Sequence, residues 1–134
     1  MTLYVDSSAL LKRYIDEPES PQCERHLLAD PRWVTAALTH VEVRRNLARL
    51  LDGADLVAAQ TYHRRDWERL NVVALDARTL ELAAEIAEST GARSLDALHL
   101  AAAMRLGVGA ITVLTYDVRQ AQVARRLGFP VIGV

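Results

Sequence analysis

Four acidic side chains stand where an oxygen-donor site can be built in this 134-residue chain. Asp6 follows the apolar run Leu3-Tyr4-Val5, and Asp117 follows Ala110 to Leu114 and Thr115. Glu42 and Asp96 lie near the starts of helical patterns. In an open parallel sheet, ligands bind beyond the carboxyl ends of the strands, so acids just past strands and at nearby helix starts can converge on one rim. Cys23 is the only cysteine and the four histidines are not clustered, which excludes a thiolate zinc site and leaves oxygen-only ligation. Such a set suits Mg²⁺ or Mn²⁺, hard cations that engage phosphates and generate a nucleophile from bound water. The chemistry implied is phosphodiester hydrolysis.

Each acid also has a purely structural use. Asp6, Asp76 and Asp117 are each placed to cap a helix. Thr39 and Glu42 have the Thr-x-x-Glu spacing of a capping box. Asp96 sits two residues after Ser94, where the helix dipole favours negative charge, with Arg93 within reach. It opens the most apolar helix of the chain, however, where Leu95, Ala97 and Leu98 are expected to bury it, and a buried carboxylate needs a partner or a cation.

The elements that must position these groups alternate. Strands are expected at Leu3-Tyr4-Val5, Trp33-Val34-Thr35, Val72 to Leu75, Ala110 to Leu114 and Val131-Ile132. Between them, helical spacing recurs after Asp6, within 21–29, from Thr39 towards Gly53, over 55–69, from Asp76 to Gly91, over 95–106 and from Asp117 to Leu127. Strands alternating with helices imply parallel pairing with helices on both faces, a three-layer α/β/α class.

Composition sets the bounds. With 51% hydrophobic and 25% charged residues the chain fits one domain, 1–134, with a core that needs no disulfide or structural metal. Sixteen basic and seventeen acidic side chains give a net charge of -1, which excludes binding nucleic acid by bulk positive charge. No apolar run approaches the ~20 residues of a membrane span, and the N-terminus lacks the pattern of a signal peptide. A cytoplasmic protein with no membrane partner is expected.

Four stretches, Tyr4-Val5-Asp6-Ser7-Ser8-Ala9-Leu10-Leu11-Lys12, Thr39-His40-Val41-Glu42-Val43, Leu95-Asp96-Ala97-Leu98-His99-Leu100-Ala101-Ala102-Ala103 and Leu114-Thr115-Tyr116-Asp117, resemble the motifs of PIN-domain proteins in order and separation. The likeness covers essentially the whole chain and, within that family, is to the VapC-type toxins of bacterial toxin–antitoxin pairs. It implies a Mg²⁺- or Mn²⁺-dependent endoribonuclease with Asp6, Glu42, Asp96 and Asp117 as catalytic and metal-holding acids, assisted by Thr115 and Ser7. It further implies a mostly parallel five-stranded sheet, a homodimer, an RNA substrate, and a cognate antitoxin whose C-terminal segment fills the acidic groove. Asp76 matches no acidic position of the family and reads as a cap.

Outside that pattern, Lys12 and Arg13, Arg44, Arg45 and Arg49, and Arg64, Arg65 and Arg69 could meet RNA phosphates or form solvated helix faces. His99, one turn after Asp96, could hydrogen-bond that carboxylate or a neighbouring helix, and is left out of catalysis. Trp33 and Trp67 read as core or interface anchors. A catalytically inactive PIN module that binds RNA or protein is the alternative function. A receiver-like phospho-signalling domain is disfavoured because Lys12 is the sole lysine and none stands in the last strand region.

Overall fold

The computed structural model describes residues 2–134. Five strands, β1 (Thr2–Val5), β2 (Trp33–Ala36), β3 (Asn71–Val73), β4 (Ile111–Thr115) and β5 (Val131–Gly133), form one parallel sheet in the order β3-β2-β1-β4-β5. The helices between them are α1 (Ser7–Leu11), α2 (Ser20–Ala29), α3 (Leu38–Leu50), α4 (Gly53–Arg69), α5 (Ala77–Thr90), α6 (Ser94–Met104) and α7 (Val118–Arg126). The α/β class and the five-stranded parallel sheet are as expected, and no helix among the described residues is long and apolar enough to cross a membrane.

Alternation along the strands sends side chains to two cores. Leu3, Val5 and Leu114 pack with Leu10, Leu27, Val43 and Leu47 from α1, α2 and α3. Tyr4, Ile111 and Val113 face the other way, into α5, α6 and α7. In α6 the run Ala97 to Ala103 is buried except for Leu98, which is partly so, and its small side chains let the helix sit close to the sheet. Leu95, expected to be buried, is 53% exposed.

The chain steps from β1 outward to β2 and β3, then crosses back over β2 and β1 to place β4 on the other side of β1. The order therefore reverses between β1 and β4, and in parallel sheets the crevice at such a reversal is where ligands bind. The β1–β4 register pairs Val5 with Leu114, which brings the next residue on each strand, Asp6 and Thr115, side by side. On the outer side Thr115 pairs with Gly133, whose φ of +108° and lack of a Cβ admit the Thr115 carbonyl; a Cβ built there would stand 2.2 Å from that oxygen.

Two local expectations change. The capping box at Thr39 does not form, because Thr39 lies inside α3 and its hydroxyl pairs with Thr35 at 2.7 Å. Lys12 and Arg13 are not free cations either. Lys12 bridges Glu17 and Glu19, and Arg13 grips Asp66 through two nitrogens and Glu24 through a third contact. Asp66 also accepts from the Tyr14 hydroxyl, which lies 3.3 Å from His63, and His63 stacks on His40. Trp33 donates to the Leu27 and Asp30 carbonyls and Trp67 packs on His40, so both tryptophans anchor structure.

Burial, and then the adjacent His40, depress the His63 imidazolium to about 4. The unfolded chain takes up this proton near pH 6.5 while the folded chain refuses it. The resulting stabilisation is complete above pH 6.5 and is lost as pH falls toward 4. In His63→Phe the difference in unfolding free energy between pH 7.5 and pH 4.5, measured by urea titration, is expected to shrink by on the order of 2 kcal/mol. An unchanged pH dependence would refute the assignment.

Candidate active site

Asp6 is the first residue beyond β1 and is 1% exposed. Its Oδ1 accepts from the Ala9 amide at 2.9 Å and the Ser8 hydroxyl at 2.7 Å, and its Oδ2 accepts from the Thr115 hydroxyl at 2.6 Å. The residue is thus both the cap of α1 and a carboxylate held at the sheet rim. Burial nonetheless raises its carboxyl above the ordinary aspartate range; His99 and the three hydrogen bonds oppose that rise without cancelling it.

Asp117, two residues past β4, is exposed and caps α7 by accepting from the Arg119 and Gln120 amides through Oδ1. Its own amide donates to the Thr115 hydroxyl at 3.0 Å, so Thr115 ties Asp117 to Asp6. Ser8 adds a further link by accepting from the Tyr116 amide at 2.9 Å. Ser8, rather than Ser7, therefore supports the first acid, a role that its place in the first turn of α1 allowed but did not specify.

Asp96 enters from the first turn of α6, half-buried. Its carboxyl is raised first by burial, then by the like charges of Asp117 and Asp6, with His99 and Arg93 pulling partly the other way. The charges of Asp6 and Asp117, each just past one of two adjacent strands, thus act on Asp96 at the start of α6. No side-chain or backbone group among the described residues donates a hydrogen bond to Asp96.

Glu42 comes from α3 on the opposite layer, and its Oε1 is occupied. The Ser7 hydroxyl donates to it at 3.1 Å, and His99 Nε2 stands 2.6 Å away. His99 Nδ1 lies 2.7 Å from the Tyr4 hydroxyl, so with Tyr4 donating to Nδ1, the Nε2–H donates to Glu42. His99, 1% exposed, pairs with Glu42 of a neighbouring helix and not with Asp96. The Tyr4–His99–Glu42 line crosses from one layer to the other. A bond from His99 to a neighbouring helix is one of the two alternatives the sequence leaves open, while Tyr4, which reads as strand core, is not expected in it.

In this side-chain arrangement no three acidic, histidine or cysteine side chains among the described residues converge closely enough to hold one ion. The physical reason is visible: Glu42 is drawn to His99 and Ser7, and Asp117 to its own helix. The donor set still matches a hard divalent cation. All donors are oxygens, Asp6 is raised by burial, Asp96 by burial and then by the charges of Asp117 and Asp6, and no group among the described residues donates a hydrogen bond to Asp96.

The PIN domain profile matches residues 3–126 of the chain. Ribonuclease VapC46 of Mycobacterium tuberculosis (strain ATCC 25618 / H37Rv) is 39% identical over 130 residues, spanning 97% of this chain and 95% of the relative. Among solved structures, Mycobacterium tuberculosis VapC20, described as a sarcin–ricin loop cleaving toxin, superposes with a TM-score of 0.73 at 20% identity over 96% of each chain. A toxin–antitoxin complex from Klebsiella pneumoniae superposes at 0.71 with 17% identity, over 99% of this chain and 97% of the other. The two structural likenesses bear on the fold.

Because the ionised Asp6 and Asp96 are disfavoured by burial, Asp6→Asn is expected to leave the metal-free protein at pH 7.5 as stable as wild type or more so, by on the order of 1 kcal/mol. The gain should fade as pH falls through the raised native range towards 3.8, where wild type acquires the proton. Asp76 differs. Its carboxyl is lowered by the Thr79 amide and hydroxyl and by Arg105, so Asp76→Asn should melt at the same temperature as wild type or below it. Thermal melts in EDTA check both; a clear loss of stability in Asp6→Asn would show that its charge is needed by the fold.

Proposed function

The chain belongs to the PIN-domain family, and we propose on that basis that it is an endoribonuclease acting as the toxin of a toxin–antitoxin pair. The observation that carries the reading is the placing of Asp6 and Asp117 just beyond the adjacent strands β1 and β4, with both charges acting on Asp96 at the start of α6. The 39% identity to a protein named a ribonuclease, over nearly the full length of both, supports the same activity.

Asp6 and Asp96 are proposed to hold a Mg²⁺ or Mn²⁺ ion, with Glu42 and Asp117 completing the acidic set. Such an ion, when bound, lowers the pKa of a water and neutralises charge on the phosphate. The chain's own groups do the positioning. Thr115 and Ser8 fix the Asp6 carboxylate, while Ser7 and the Tyr4-anchored His99 fix Glu42. His99 acts through Glu42 and is a positioning residue. Holding like charges in place before the ion arrives costs stability, and the hydrogen-bonded hydroxyls offset part of that cost.

The remaining features of the reading follow from the family. The whole of 1–134 is proposed to act as one nuclease unit, in the cytoplasm and as a homodimer. A cognate antitoxin is proposed to cover the acidic cleft, supplying a basic side chain where cation charge is otherwise required. A toxin–antitoxin complex among the structures of the same fold is consistent with this.

Cleavage of a fluorogenic RNA with Mn²⁺ or Mg²⁺, and its loss in EDTA and in Asp96→Asn, is the expected outcome. Metal at ~100 times its dissociation constant should stabilise wild type by roughly 3 kcal/mol and Asp96→Asn much less. Metal-dependent stabilisation without cleavage would favour the inactive binding module. Full activity in Asp96→Asn would remove the site assignment.

A further inference from the structure

An open groove of about 690 Å³ runs beside the acidic rim, between α7 and the turn joining α5 to α6. Asp96 is the only acidic residue on its wall; Arg93, Arg119, Arg125 and Arg126 are the basic ones. Arg119, Gln122, Val123 and Arg126 fall at i, i+3, i+4 and i+7 of α7, so they share one face of that helix. Arg119 and Arg126 are thereby spaced by roughly 10 Å along the helix axis. Arg93 faces them from the start of α6.

Among the described residues most arginines form no ion pair; these four differ in lining one groove beside the acidic rim. Arg13 is tied to Asp66 and Glu24, and Arg105 to Asp76. Among the described residues, no carboxylate side chain forms an ion pair with Arg93, Arg119 or Arg126. Arg125 donates to the Val134 carbonyl, and Arg126 gives one bond to the Thr90 carbonyl at 3.3 Å, which leaves most of its five N–H donors unused. Exposed, unpaired guanidinium forks facing one channel match the geometry of phosphate oxygens.

We propose that this groove binds the sugar–phosphate backbone of single-stranded RNA and leads it to Asp96. The proposal rests on the ribonuclease reading for the identity of the polyanion. Electrostatics alone admit any polyanion, and the ribonuclease reading selects RNA over an acidic protein segment. A cleft of clustered carboxylates repels a polyanion, so a strand reaching it needs compensating positive charge along its flank. The arginine face begins at Arg119, whose amide is held by Asp117, and therefore starts at the site itself. The contacts are to phosphates, so affinity should be strongly salt-dependent and weakly dependent on sequence.

The test is fluorescence anisotropy of a labelled single-stranded oligoribonucleotide with the Asp6→Asn protein, which keeps the groove and is expected not to cut. Adding R119Q and R126Q should weaken binding roughly tenfold at 100 mM KCl and flatten the slope of log K against log salt by about 1.4, the value for two lost phosphate contacts. The same pair of changes at Arg64 and Arg65, exposed on α4 in the opposite layer, should alter neither quantity. Melting curves establish that each variant is folded, and R93Q serves as a second variant if the double change is not. Unchanged RNA affinity and slope would overturn the proposal, as would an equal effect of the α4 pair. A loss of poly-glutamate binding with RNA binding intact would also overturn it, in favour of an acidic protein segment. If wild type fails to cut RNA yet the slope changes as expected, the ribonuclease reading falls and the groove stands. If wild type cuts and the slope is unchanged, the groove alone falls.

Discussion

Burying a carboxylate at the end of a central strand is the constraint around which this structure is arranged. An aspartate that is 1% exposed must either lose its charge or be surrounded by donors. Asp6 is given three, from Ala9, Ser8 and Thr115. Two of these come from the helix that it caps and the third from the neighbouring strand. The β1–β4 register, the start of α1 and the end of β4 are consequently fixed by one side chain as well as by apolar packing. Gly133 extends the dependence outward, since β5 can pair with Thr115 only where a residue without a Cβ makes room for its carbonyl.

The acids divide into two kinds of support. Asp6 and Asp117 satisfy backbone amides at helix starts, so the same atoms that terminate elements stand at the rim. Glu42 is instead steadied by long-range partners, through His99 to a tyrosine in the middle of the sheet. Asp96 has neither arrangement. Its charge is opposed by burial and by two neighbouring acids, which makes it the group whose environment changes most when a cation or a basic side chain arrives.

What could be read from the sequence follows from the range of the interactions. Strands and helices were legible because apolar periodicity and caps such as Asp76 and Gly91 act over a few residues. The placing of Asp6 and Asp117 just past adjacent strands was legible because apolar runs end where these acids begin. The Tyr4–His99–Glu42 line as a whole was not, because it joins residues 95 and 57 positions apart whose types are ordinary where they stand. Arg13 beside Lys12 looked like a basic pair for phosphates, and only the fold shows its acids, Glu24 and Asp66, arriving from α2 and α4. Arg93, Arg119 and Arg126 drew no notice as a group, since two separate helices contribute them.

The hydroxyl that steadies Asp6 lies 109 positions further along the chain. At synthesis rates of roughly 5–20 residues per second, about 5–20 s pass between the appearance of the acid and that of its partner. Asp96 and Asp117 are also late arrivals, and β1 cannot take its central place until β4 exists to pair with it. A growing chain therefore carries the first acid of the rim with its two local donors and without the Thr115 hydroxyl. For a protein proposed to cut RNA, that order in time keeps the nascent chain inert while it is still attached to the ribosome and message that make it.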